Sequence, residues 1–272
     1  MNILVCVKQV PNTQQISIDP QTNTLIREGV ESILNTFDGY ALEAAARLKD
    51  TDPNISIYAL CMGPVQAEAA LRECLSIAAD AAYLASDRAF SGSDTLATSY
   101  ILSECVRYIE SSEGITFDMI FCGKQAIDGD TAQVGPQIAE LLGIGQVTCG
   151  LTCEVAGTEL CVKRETEDGK AVVALGFPCL VTFTKPNFDP RLVSAKRRIA
   201  AKKATIRRIG ADDLPGIDTE RIGLKGSPTQ VRRTFVPQTK KAGVVINEAT
   251  PQDSARKLAH ILADSGVVLS ME

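Results

Sequence analysis

Five apolar residues stand in unbroken succession near the start of the chain, Ile3 to Val7 (ILVCV). A strand with one wet face alternates apolar and polar residues, so a run with no polar member calls for cover on both faces. That is the condition of a parallel sheet with helices on either side. The pattern recurs: Ile55 to Leu60, Ala82 to Ala85 and Phe117 to Cys122 read as strands. The segments between and after them, Tyr40 to Lys49, Val65 to Ala79, Ser93 to Ile109 and Thr131 to Leu142, carry apolar residues at helical spacing. Asp38 is placed to cap the first of these helices, and Ser93 or Asp94 the third. Four strand-loop-helix units in a row predict an α/β fold with a doubly wound, mostly parallel, Rossmann-like sheet.

Beyond Gly150 the texture changes. Leu151 to Val155, Glu159 to Lys163, Ala171 to Leu175 and Cys179 to Thr184 read as strands of an antiparallel annex, with Asp168-Gly169 as a turn. From Gly210 the chain is rich in Gly, Pro and Asp, and a last helix is expected over Asp253 to Asp264. Residues 1–222 are therefore expected to form an α/β ligand-binding domain and residues 223–272 a C-terminal arm.

Several function classes drop out early. No stretch approaches the roughly 20 apolar residues of a membrane span, and the N-terminal run is short and lacks a basic leader, so a cytoplasmic location is expected. The nine cysteines include no C-x-x-C pair and lie mostly among apolar residues, which predicts reduced core thiols and no metal site. The lone His260 has no G-x-S-x-G elbow to serve, which argues against a hydrolase.

Doubly wound sheets take ligands outside the carboxyl ends of their strands, here the loops after Val7, Leu60, Ala85 and Cys122. The last of these, within Cys122–Glu140 (CGKQAIDGDTAQVGPQIAE), pairs Asp130 with Gln133 in a capping-box spacing, and Gly129 is expected to relieve crowding before the helix. Free backbone N–H groups and the helix dipole favour a phosphate there, while the bland reading is a cap alone. Asp128 and Asp130 fall short of a calcium ligand set. Gly143-Ile-Gly145 lacks the third glycine of a dinucleotide fingerprint and reads as a helix stop. From Arg191 to Arg208 there are eight basic residues and no acidic one, leaving 20 basic against 33 acidic elsewhere. Such polarity suits an acidic protein partner better than nucleic acid, or is simply a solvated helix.

Val5-Cys-Val-Lys-Gln-Val-Pro11, Asn35-Thr-Phe-Asp38 before Tyr40-Ala-Leu-Glu43, Cys122-Gly-Lys-Gln-Ala-Ile-Asp128, Val162-Lys-Arg-Glu-Thr-Glu-Asp-Gly169, Phe177-Pro-Cys-Leu-Val-Thr182, Asp189-Pro-Arg191 and Ala201-Lys-Lys203 stand in order along the chain. Together they resemble the β subunit of electron-transfer flavoproteins. The resemblance implies an adenine-nucleotide-binding fold and a heterodimer with an α subunit that carries FAD. It also implies a nucleotide in β, either AMP or a second FAD, and a flavin dehydrogenase as redox partner. Carried over by position, the nucleotide would be held by Cys6, by Asn35, Thr36, Phe37 and Asp38, and by Met62. The loop would add Gly123, Lys124, Gln125, Ala126, Ile127 and Asp128, then Gly129, Asp130, Thr131, Gln133 and Val134. The stretches Gly129-Asp-Thr-Ala-Gln-Val-Gly135, Ser86-Asp-Arg-Ala-Phe90 with Asp94-Thr-Leu-Ala-Thr98, and Gly226-Ser-Pro-Thr229 are similar to the electron-bifurcating subtype. There, NADH reduces a β-subunit FAD, one electron passes to ferredoxin and the other, through the α-subunit FAD, to the partner dehydrogenase.

In that reading Gly92, Thr95 and Thr98 would meet NADH, and Arg191, Ala195, Lys196, Arg197 and Arg198 would dock the partner. The C-terminal arm would pack on the α subunit. Thr36 replaces a common proline, and Ala195 replaces a large aliphatic anchor of many members. The flavin performs the chemistry, so no catalytic side chain is expected. The alternatives are a carrier with AMP in β and a non-redox adenine-nucleotide sensor.

Overall fold

The computed structural model describes residues 1–12, 17–18, 25–26, 32–230 and 243–266, with only the backbone described at 17–18 and 25–26. The chain divides into two compact units, Met1–Arg233 and Thr234–Glu272. In the first, β1 (Asn2–Val7) is followed by four short strands, β2 (Gln9–Pro11), β3 (Ser17–Ile18), β4 (Leu25–Ile26) and β5 (Ser32–Leu34). Strand β2 pairs with β5 and β3 with β4, both antiparallel. Then come α1 (Thr36–Thr51), β6 (Ser56–Met62), α2 (Glu68–Ile77), β7 (Ala81–Ala85), α3 (Thr95–Glu113), β8 (Met119–Gly123) and α4 (Val134–Leu142). The remainder is β9 (Gly145–Ala156), β10 (Glu159–Thr166), β11 (Gly169–Gly176), β12 (Cys179–Phe183), α5 (Ala195–Lys203) and β13 (Arg207–Ile209).

Among the described residues nine strands form one sheet, in the order β11-β10-β9-β12-β8-β1-β6-β7-β13. It is parallel from β9 to β13 and antiparallel from β9 to β11. The doubly wound α/β expectation holds. The annex is smaller than expected and continuous with the main sheet, because β12 lies parallel between β8 and β9. Its fully buried CLVTF explains the place: a run without an exposed face belongs inside the sheet. The short β13, also missed, pairs with β7 through three residues, two of them arginines, too brief to register as a pattern.

Strand β1 shows why both faces must be covered. Ile3, Val5 and Val7 pack with α1, α2 and Ala201 of α5, while Leu4 and Cys6 pack with α3 and α4. The chain builds β6 and β7 outward on one flank of β1, then returns to lay β8 on the other flank, with Cys6 beside Cys122. The point where winding reverses lies between β1 and β8.

Three local expectations are corrected. Helix α1 begins at Thr36, so Asp38 sits buried in its first turn and caps nothing; nearby N–H groups take its carboxylate instead. Helix α4 begins at Val134 with no side-chain cap, because Asp130 (φ 55°) and Ala132 (φ 54°) take left-handed backbone and break the intended first turn. The segment from Val65 starts as a 3-10 turn, Val65–Ala67, before α2. Asp94 does cap α3, accepting the N–H groups of Leu96 and Ala97, and left-handed Gly143 stops α4.

All nine cysteines are free thiols. Among the described residues no helix is long and apolar enough to cross a membrane. In the second unit α6 (Pro251–Asp264) is capped by Thr250 and carries His260 on an exposed surface.

Candidate functional site

The crevice at the winding reversal is knotted by two buried polar side chains. Asp38, only 6% exposed, accepts hydrogen bonds from Lys8 N–H (2.7 Å) and Gly123 N–H (3.1 Å), the residues that follow β1 and end β8. Asn35 donates through Nδ2 to Asp38 (2.9 Å) and to the carbonyl of Gln125 (2.9 Å), and accepts Ile127 N–H (3.1 Å). One Asn-Asp pair thus ties three chain segments together. Gly123 is obligatory there, since a Cβ would stand 2.3 Å from Asp38 Oδ1 and 2.7 Å from the Phe37 carbonyl carbon. Burial raises the Asp38 carboxyl to about 7, against the opposing pull of its hydrogen bonds. Across the mouth, Lys8 Nζ meets both carboxylate oxygens of Asp128, at 2.7 and 2.8 Å.

From this knot the loop 123–134 projects outward. Lys124 N–H is held by the Phe183 carbonyl, and Gln125 donates to Asp130 (2.7 Å). Among the described residues no acceptor meets the N–H groups of Thr131, Ala132, Gln133 or Val134. Gly129 stands in open space, with nothing within 4 Å of a Cβ built on it, so the crowding expected there is absent. The crowded glycine is Gly135, where a Cβ would lie 2.5 Å from Thr182 and keep α4 off β12.

The other site candidates divide. Thr36 is exposed, Phe37 is half-buried edge-on to Tyr40, and Met62 is half-buried at the end of β6. Cys6 lies in the core layer under α3 and α4 beside Cys122, whose thiol is pushed well up by their mutual hydrogen bond and by burial. Gly92 is exposed, Thr95 and Thr98 are half-buried, and Thr95 Oγ1 donates to Gln133 Oε1 (2.9 Å). That bond brings the two polar loops, far apart in sequence, to one edge of the sheet. Among the described residues no three His, Cys, Asp or Glu side chains are grouped to hold a metal ion.

The basic segment divides as well. Arg191 is turned inward onto Glu43 and Asp50, and Arg197 onto the carbonyls of Leu75, in the last turn of α2, and Ala79, just beyond it. Arg207 pairs with Glu113 and Arg208 with Glu68. Ala195, Lys196 and Arg198 are exposed, and Lys196, Arg198, Lys202 and Lys203 meet no acid among the described residues. Sequence reading missed Lys8, Leu192 and Ile199. Lys8 is flagged only as the first polar residue after ILVCV. Leu192 (91% exposed) and Ile199 (63%) look like core residues until the fold shows them outside.

Residues 22–214 match the Electron transfer flavoprotein domain family. The chain is 47% identical over 256 residues to Electron transfer flavoprotein subunit beta of Megasphaera elsdenii, covering 94% of each. It is 43% identical over 268 residues to the Caffeyl-CoA reductase-Etf complex subunit CarD of Acetobacterium woodii, covering 98% of this chain and 100% of that one. To Protein FixA of Azotobacter vinelandii it is 44% identical over 260 residues, covering 93% and 90%.

Proposed function

From the premise that the chain belongs to the electron transfer flavoprotein family, among its β subunits, we propose that it binds FAD at the β1/β8 crevice as one half of a heterodimer with an α subunit. NADH is the electron donor, and the acceptors are ferredoxin and, through FAD on the α subunit, a flavin dehydrogenase. The observation that carries the reading is the loop 123–134, anchored at its root by Asn35 and Asp38 and open at Gly129, with free N–H groups at the start of α4. Donors of that kind at a helix N-terminus suit a diphosphate, and the clear space beside Gly129 suits a cofactor longer than a mononucleotide. The relative whose name places it in a reductase-Etf complex covers nearly the whole chain and favours the same assembly.

The flavin, when bound, supplies the electron chemistry. The chain's own work is to hold and shield it. Asn35 and Asp38 fix the loop roots, Thr131 to Val134 offer N–H donors, and the Thr95–Gln133 bond sets the distance between the flavin loop and the donor loop at Gly92, Thr95 and Thr98. Partner docking falls to the outer face of α5, where Lys196, Arg198, Lys202 and Lys203 surround Ile199, and to the exposed Leu192 in the segment that precedes the helix. Arg191 and Arg197 hold that face in place from behind. Of the segment after 222, residues 223–229 stay with the first unit, and the second unit is the arm that packs on the α subunit.

Purifying the αβ complex and counting released cofactors tests the assignment. Two FAD per heterodimer and bleaching by NADH are expected; one FAD with one AMP would sink it. A second expectation concerns Gly129 alone. The Cβ of Gly129→Phe would have no chain atom within 4 Å and the side chain starts into open space, so the chain folds while FAD in the β site falls at least severalfold, and AMP takes its place. Unchanged FAD content would remove Gly129 from the cofactor's surroundings.

A further inference from the structure

A second segment of the first unit closes over the loop that enters α3. Gly223 N–H donates to Ser93 Oγ (3.0 Å) and Leu224 N–H to the Ser91 carbonyl (3.1 Å). Ser227, 6% exposed, accepts Asp94 N–H on its Oγ (2.8 Å) and donates to the Gly223 carbonyl (2.7 Å). Asp94 divides its carboxylate. Oδ1 caps α3, and Oδ2 accepts both the N–H (2.9 Å) and the hydroxyl (2.8 Å) of Thr229. The approach is so close that glycine is required at 223, where a Cβ would lie 2.3 Å from the Ala89 carbonyl oxygen. Gly226 is required by the segment's own turn, since a Cβ there would lie 2.1 Å from the Arg221 carbonyl carbon.

Capping α3 needs Oδ1 alone, so the bonds on Oδ2 and on Ser227 are surplus to the helix. What they immobilise is the backbone of Ser91 to Asp94, a run of small polar residues that would otherwise be free to move. The same run holds Gly92, exposed at φ 78°, and leads into Thr95, whose hydroxyl reaches Gln133 on the other loop. We infer that Ser227 and Thr229 are positioning residues for the donor loop. They hold Gly92 and Thr95 at a fixed distance from the flavin loop without touching the donor. The inference rests on the reading that NADH binds at this loop.

The test uses the complete αβ complex with Thr229→Val, Ser227→Ala and the conservative Thr229→Ser. With Thr229→Val or Ser227→Ala, KM for NADH rises about tenfold, the scale of one charge-assisted hydrogen bond, while kcat stays within about twofold. FAD content is unchanged, amides 91–97 exchange with deuterium faster even without NADH, and Thr229→Ser restores both properties. If wild-type complex is not reduced by NADH, the donor reading itself fails, and the inference with it. If wild type is reduced but neither KM nor exchange moves in the variants, the inference alone is overturned. It is equally overturned if exchange quickens while KM holds, which would leave the clasp a structural device.

Discussion

Asp38→Ala lowers the stability of the chain by about 3 kcal/mol and, on the proposal that the β1/β8 crevice holds FAD, abolishes flavin binding there. The variant leaves three donors, Lys8 N–H, Gly123 N–H and Asn35 Nδ2, without the acceptor they share. Each unsatisfied buried donor costs roughly 1–3 kcal/mol, less where water can enter the space left behind. Because these donors come from the ends of β1 and β8 and the start of α1, the loop 123–134 loses its root along with the energy. The pH dependence has a definite sign. Burial holds the Asp38 carboxyl at about 7 in the folded chain, against 3.8 for the free group, so the folded state keeps the proton more tightly. Asp38 therefore favours the folded chain most at low pH, and this contribution fades as pH rises from about 4 through 7. Urea unfolding at pH 5 and pH 8 should show the deficit of Asp38→Ala relative to wild type shrinking at the higher pH. A deficit that grows instead would mean that Asp38 is already ionised at pH 5.

Glu43→Ala costs a similar amount, about 3 kcal/mol, for a different reason. Glu43 is 3% exposed in the middle of α1 and accepts hydrogen bonds from Arg47 (2.9 Å) and from both the backbone and guanidinium of Arg191 (3.0 and 2.8 Å). Removing one member of a buried pair strands the other, at roughly 3–5 kcal/mol when both are fully buried. Arg191 is partly exposed and keeps Asp50, which places the loss at the lower end. Burial pushes the Glu43 carboxyl up, but the Arg191 and Arg47 hydrogen bonds outweigh it and hold it below its ordinary 4.5. Its contribution is therefore present above about pH 4.5 and is lost as pH falls below that. The local effect should be larger than the global one. Arg191 and the stacking of Arg47 on Phe188 fasten residues 185–194, which have no helix or strand of their own, to α1. Limited proteolysis should cut Glu43→Ala within 185–194 well before wild type, and equal resistance would refute the clamp.

Why some of this was legible in advance follows from which forces act locally. ILVCV and CLVTF announce buried strands because each residue carries the signal itself, and the Cys122–Glu140 stretch announces a loop at a strand's carboxyl end. The order β12-β8-β1-β6 and the parallel placing of β12 depend on pairings between distant segments, which no window of sequence contains. Asp38 fails as a cap for the same reason, since its carboxylate is taken by Lys8 and Gly123 from distant segments. Asp130 fails locally, because left-handed backbone at Asp130 and Ala132 delays α4 and its side chain accepts from Gln125 instead. The clasp of Ser227 and Thr229 on Asp94 spans more than 130 residues, so in the sequence Gly226-Ser-Pro-Thr229 falls within the expected arm and its contact with the α3 loop has no local signal.

The inward turn of half the basic segment has a kinetic meaning. Arg191, Arg207 and Arg208 are already ion-paired within the chain, whereas Arg197 meets only neutral carbonyls and keeps its charge, so an acidic body approaching α5 is drawn by Lys196, Arg197, Arg198, Lys202 and Lys203. Long-range attraction scales with the charge that is free to be felt and is screened over about 8–10 Å at ordinary ionic strength. The rate of first encounter at this surface should therefore fall with added salt as for a body bearing five positive charges, although its sequence shows eight.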